Sequence, residues 1–120
     1  MATILLAEDD SSRRAFLGRA LERAGHGVRV CADGYEAERA LDDGPFDLLL
    51  TDIVMPGLDG IEVARRAAEL FPGMRIMFIT GFAAVALSEG SRAPEGSKVL
   101  SKPIHLRELV AEVDRMLAAA

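Results

Sequence analysis

Five short apolar runs punctuate the chain: ILLA (4–7), VRVC (28–31), LLLTDI (48–53), IMFIT (76–80) and KVLS (98–101). Between them, apolar residues recur at helical spacing. Phe16, Leu17, Ala20, Leu21 and Ala24 form one such face, and Ala37, Ala40 and Leu41 a second. Ile61, Ala64, Ala68 and Phe71 form a third, and Leu106, Leu109, Val110, Val113 and Leu117 the last. Turn chemistry separates the segments at Gly25-His26-Gly27, Gly44-Pro45, Pro72-Gly73 and the EGSRAPEGS stretch, 89–97. Strands that alternate with helices predict an α/β fold, with a doubly wound five-stranded parallel sheet covered on both faces. The second run alternates apolar residues with Arg29, as an edge strand does. The first, third and fourth are almost wholly apolar and belong inside. After IMFIT the pattern weakens. Gly81 delays a helix in GFAAVALSEGSR (81–92), and Gly90 and Pro94 stop it, so a short, mobile helix is expected there.

A chain of 120 residues suits one domain and buries a core without staples. Its 14 Lys and Arg against 19 Asp and Glu give a net charge of -5, and Lys98 and Lys102 are the only lysines. The scattered arginines form no basic stripe of the kind that tracks a phosphate backbone, which argues against nucleic acid as a partner. Cys31 stands alone and reads as a small buried hydrophobe, in keeping with a reducing cytoplasm. No run approaches the roughly 18 apolar residues of a membrane span, and the first strand begins too near Met1 to leave room for a leader. A cytoplasmic protein without membrane insertion is expected.

One detail of the third run needs explaining: an oily strand ends on a lone carboxylate, Asp52. Parallel sheets bind ligands beyond the carboxyl ends of their strands, where residues distant in sequence meet. The first run leads into Glu8-Asp9-Asp10, the third ends in Asp52, the fourth in Thr80, and the fifth leads into Lys102-Pro103. Treated together as inner strand ends, they predict a pocket of several acids, one hydroxyl and one ammonium. Gathered carboxylates repel unless a cation joins them, and Mg2+ suits an oxygen site that also receives a phosphate. A carboxylate can attack phosphorus to form an acyl phosphate, so Asp52 is the candidate nucleophile and Glu8 and Asp9 the candidate metal ligands. Simpler roles suffice elsewhere. Asp10 or Ser11 caps the first helix, and Asp59 with Glu62 caps the third. His26 and His105 are expected in solvent; Arg13 and Arg14 flank the acidic site and are expected on a solvated helix face, contact with an acidic phosphodonor being the alternative. A phosphatase of the aspartate-nucleophile type would want an acid two residues after Asp52, where this chain has Val54.

The blocks LLAEDD, LLLTDIVMPGLDG, FITG and LSKP resemble those of the response-regulator receiver domain, and the likeness spans the chain. It implies a flavodoxin-like (CheY-like) sheet in the order 2-1-3-4-5 and a single receiver over residues 1–120 with no output domain. It further implies that Asp52 takes a phosphoryl group from a histidine kinase or histidine phosphotransfer protein. Glu8, Asp9, Asp52 and the Val54 carbonyl would surround Mg2+, Thr80 and Lys102 would sense the phosphoryl oxygens, and the Lys102–Pro103 bond would be cis. Such a domain is a switch and not an enzyme, beyond its own phosphoryl uptake and loss. This chain departs from the common pattern in two ways. Val99 stands where many receivers carry an aromatic switch residue, and Val54 and Phe82 are apolar where fast-hydrolysing members are polar. A dry approach to Asp52 implies slow phosphoryl loss. Among receivers, TDIVMPGLDGIEVARRA, MFITGFAAVAL and KVLSKPIHLREL are most similar to the alphaproteobacterial CpdR group. Those single-domain regulators are adaptors that prime the ClpXP protease when unphosphorylated and are turned off by a histidine phosphorelay, and a monomer is expected. The alternative is a stand-alone receiver acting on a kinase, a flagellar motor or a phosphate sink. The terminal Ala118, Ala119 and Ala120 resemble a protease tag, though a frayed end of an Ala-rich helix is the preferred explanation.

Overall fold

The computed structural model describes residues 2–81 and 92–118. Its elements are β1 (Thr3–Ala7), α1 (Ser11–Arg23), β2 (Gly27–Cys31), α2 (Gly34–Leu41), β3 (Leu48–Asp52), α3 (Gly60–Leu70), β4 (Arg75–Thr80), β5 (Lys98–Ser101) and α4 (Leu106–Ala118). Phe82 and nearly all of the segment expected to form the short mobile helix lie outside the described residues, as do Ala119 and Ala120. All pairings are parallel, in the order β2-β1-β3-β4-β5. The anticipated doubly wound sheet is therefore present, with β2 at one edge. The fifth run, grouped by its sequence with the inner strands, is the other edge, and its exposed Lys98 and Ser101 fit that place.

Alternation along the inner strands divides the core in two. Leu5, Leu49, Ile76 and Phe78 point to one face, where Ala37, Ala40 and Leu41 of α2 and Val63, Ala64 and Ala67 of α3 cover them. Ile4, Leu6, Leu48, Leu50, Met77 and Ile79 point to the other, under Leu17 and Leu21 of α1 and Leu109 and Val113 of α4. Every side chain of β3 is buried, as a central parallel strand requires. Two helical faces are rotated from their expected positions. Phe16 is 56% exposed, because the buried stripe of α1 runs through Leu17, Gly18 and Leu21. On α3 the innermost positions are Gly60, Val63, Ala64 and Ala67, while Ala68 and Phe71 sit at the margin.

The helix starts are capped as expected. Asp10 accepts from the Arg13 backbone N–H at 2.7 Å and Asp59 from that of Glu62 at 2.9 Å. The Glu62 carboxylate itself reaches Arg92. His26 is a correction to the sequence reading: its side chain is 7% exposed, not solvated. Its Nδ1 accepts from the Ala2 N–H at 3.2 Å, which leaves the ring proton on Nε2 to be donated to Asp114 Oδ1 at 3.1 Å. His105 is exposed, and Cys31 is buried with its thiol pushed up to about 11 by desolvation. No helix of the described residues is long and apolar enough to cross a membrane.

Gly60 fixes how α3 meets the end of β3. Its N–H donates to the Ile53 carbonyl at 2.8 Å, and a Cβ there would lie 2.0 Å from the Asp52 carbonyl oxygen. Gly60→Ala should therefore destabilise the protein by about 1–3 kcal/mol, the usual cost of overpacking. Gly73 has open space around it, so Gly73→Ala should change stability by less than about 1 kcal/mol. Urea unfolding midpoints of the two variants check the contrast.

Candidate functional site

The carboxyl ends of β1, β3, β4 and β5 converge at one pole of the sheet. Pairing sets the register: Ala7 lies opposite Thr51, Asp52 opposite Ile79, and Thr80 opposite Ser101. The residues just past β1 and β5, Glu8 and Lys102, are thereby brought alongside Asp52. The Lys102 N–H donates to the Thr80 carbonyl at 2.9 Å, which carries the sheet pattern one step beyond β5 and aims the side chain inward. Its Nζ lies 2.6 Å from Asp52 Oδ2. The other oxygen, Asp52 Oδ1, accepts from the Val54 N–H at 3.3 Å.

Glu8, Asp9 and Asp52 each present a carboxylate oxygen, and these atoms all lie within 4.8 Å of one another. Glu8 is 1% exposed and Asp52 5%, so two of the three charges are held away from bulk water. Burial raises the Glu8 carboxyl above its ordinary value, and the nearby Asp52 charge raises it further. Hydrogen bonds from the Asp10 N–H and from Arg13 pull the other way without cancelling the rise. Such a donor set is all oxygen and anionic, its three acids outnumber the Lys102 and Arg13 cations beside them, and it fits a hard divalent cation.

The expected residues are therefore together: Glu8, Asp9, Asp52 and Lys102 at the centre, with Thr80 buried at the end of the neighbouring strand. The Lys102–Pro103 bond is cis, and so is Gly44–Pro45, which carried no sequence signal distinct from an ordinary turn. Val99 is half-buried on β5 and packs against the α2–α3 side of the core, so it holds no exposed aromatic place at the site. Val54 is 58% exposed at the mouth. Two arginines were assigned too little by the sequence reading. Arg13 NH1 lies 3.2 Å from Glu8 Oε1 and 4.0 Å from Asp52 Oδ2. Arg14 donates to the Glu8 carbonyl at 2.9 Å and tethers the acidic loop. Helical periodicity places both near the acids but not which way their long side chains bend.

The raised Glu8 carboxyl has a sign that can be checked. A carboxyl whose folded value exceeds its unfolded value contributes stability below the unfolded value and loses it as pH rises through the folded one. In chelator, wild type should lose melting temperature relative to Glu8→Gln as pH climbs from the ordinary glutamate range upward, and at neutral pH Glu8→Gln should be the more stable. Paired thermal melts across pH, with equal slopes as the contrary result, test this.

Residues 4–114 match the response regulator receiver domain family. The response regulator receiver protein CpdR of Brucella abortus is 60% identical over 120 residues, covering all of both chains. The receiver domain of the hybrid histidine kinase CckA superposes with a TM-score of 0.82 at 32% identity, covering 96% of this chain and 98% of that one. The response regulator TrrA of Thermotoga maritima, solved in complex with Mg2+-BeF, gives a TM-score of 0.84 at 26% identity over 97% of this chain and 99% of its own. With its parallel five-stranded order and its acids, hydroxyl and lysine gathered at one pole, this chain belongs to the response regulator receiver domain family.

Proposed function

We propose that this receiver takes a phosphoryl group on Asp52 from the phosphohistidine of a histidine kinase or phosphotransfer protein, and that the modification alters which proteins it binds. The observation that carries the reading is the grouping of Glu8, Asp9 and Asp52 within 4.8 Å, with the Lys102 ammonium 2.6 Å from Asp52. An Asp52 carboxylate oxygen attacks phosphorus, the N–P bond of the phosphohistidine breaks, and the imidazole leaves with its electron pair. The product is an acyl phosphate on Asp52. The Val54 N–H orients the Asp52 carboxylate through Oδ1. Lys102 transfers its contact from Asp52 to a phosphoryl oxygen, and the Thr80 hydroxyl takes another. Glu8, Asp9, Asp52 and the Val54 carbonyl are the groups that would hold Mg2+, which when bound neutralises charge on the entering phosphoryl group. The complex of the Thermotoga relative with Mg2+-BeF supports that choice of ion.

For output, the full-length 60% identity with CpdR favours an adaptor that primes the ClpXP protease and is switched by a phosphorelay in the cytoplasm. Action on a kinase, a motor or a phosphate sink is the competing reading.

Incubation with acetyl phosphate and Mg2+ should add one phosphoryl group to wild type and none to Asp52→Ala, read by intact mass; modification of Asp52→Ala would locate the acceptor elsewhere. Apolar Val54 and Phe82 predict slow loss of the group, with Val54→Asn faster than wild type. Decay of the wild-type phosphoprotein within seconds contradicts that expectation. Pull-down of ClpX by unphosphorylated protein, lost after phosphorylation, tests the adaptor role.

A further inference from the structure

Arg13 is not an inert surface cation. It stands in the first turn of α1, where its own backbone N–H is fixed to Asp10 at 2.7 Å. From there its guanidinium reaches back over the acidic loop to Glu8 Oε1 at 3.2 Å and stands 4.0 Å from Asp52 Oδ2. Two of the three acids that would hold a divalent ion thus already share one arginine nitrogen. Arg13 binds its own proton more tightly than usual, chiefly because of the hydrogen bond to Glu8. Lys102 approaches Asp52 from the β5 side, so two cations supplied by the chain face the acids.

We infer that Arg13 is a resident competitor of the divalent ion: its guanidinium neutralises Glu8 and Asp52 in the metal-free protein and must give up Glu8 Oε1 before that oxygen is free for Mg2+. This rests on reading the acids as the Mg2+ site, and it makes Arg13 a positioning residue that sets the Mg2+ concentration at which the site fills. The side chain has somewhere to go. It is 39% exposed, and beside it opens a hollow of about 440 Å³ lined by Phe16, Leu17, Lys102, Pro103 and Ile104. Glu8, by contrast, is 1% exposed and cannot follow it out. Exchange therefore leaves the acid in place and moves only the arginine.

Calorimetric titration of the full chain with MgCl2, after removal of metal by chelator, provides the test. Arg13→Ala and Arg13→Met, the second keeping the aliphatic stem, should each bind Mg2+ about 1.5- to five-fold tighter than wild type, the range expected when a partly exposed ion pair is removed from the competing state. Arg29→Ala makes the same change in net charge but removes a partner of Asp43 on β2, and it should leave the affinity unchanged. In chelator the Arg13 variants should melt below wild type, and saturating Mg2+ should raise their melting temperature by more than it raises that of wild type. Affinities of the Arg13 variants equal to those of wild type or Arg29→Ala, with Mg2+ still binding, overturn the inference and leave the site intact. Absence of Mg2+ binding in every protein removes the reading of the site and this inference together.

Discussion

Three carboxylates, two of them buried, cannot crowd together unless positive charge is close at hand, and that constraint organises the pole of this sheet. The Lys102 ammonium meets Asp52 at 2.6 Å and Arg13 meets Glu8 at 3.2 Å. Both contacts depend on backbone placed by the sheet. Lys102 is aimed by its N–H bond to Thr80, Arg13 by the cap on α1, and Glu8 by its N–H bond to the Cys31 carbonyl. The fold assembles acids whose repulsion makes them receptive to an incoming cation, and it screens them until one arrives.

Much of this was written in the residue pattern. Period-two burial on both faces of an inner strand leaves an unbroken apolar run, so LLL at 48–50 announced a central strand and Asp52 at its end announced a site. The cap at Asp10 was legible because a short acid just before a helix has few other uses. What escaped notice was decided by side-chain reach and by tertiary partners. Phe16 satisfies the helical spacing as well as Leu17 does, and only the placement of α1 on the sheet selects between them. A similar rotation of α3 brings Val63 and Ala67 inward at the expense of Ala68. Arg13 and Arg14 were read as solvated because a charged helix face usually is, and nothing local reveals that a guanidinium folds back over the preceding loop.

The division of the core into two layers has a bearing on signalling. The α1 and α4 layer and the α2 and α3 layer lie on opposite faces of the sheet, and the acidic pole sits where β1 and β3, shared by both, come to an end. Lys102 belongs to the connection between β5 and α4, while the backbone of Asp52 abuts Gly60 at the start of α3. Asp52 thus neighbours groups rooted on both sides of the molecule.

His26 joins distant parts of the chain: its ring takes a hydrogen bond from Ala2 on one side and gives one to Asp114 on the other. Ribosomes deliver the amino end first, so the imidazole and the strand it anchors wait through the synthesis of nearly ninety residues, roughly the spacing of 88 between the partners, before the acid emerges. The clasp is a late event in the life of the nascent polypeptide, and the part of the sheet that Leu109 and Val113 cover stays open until α4 has been made.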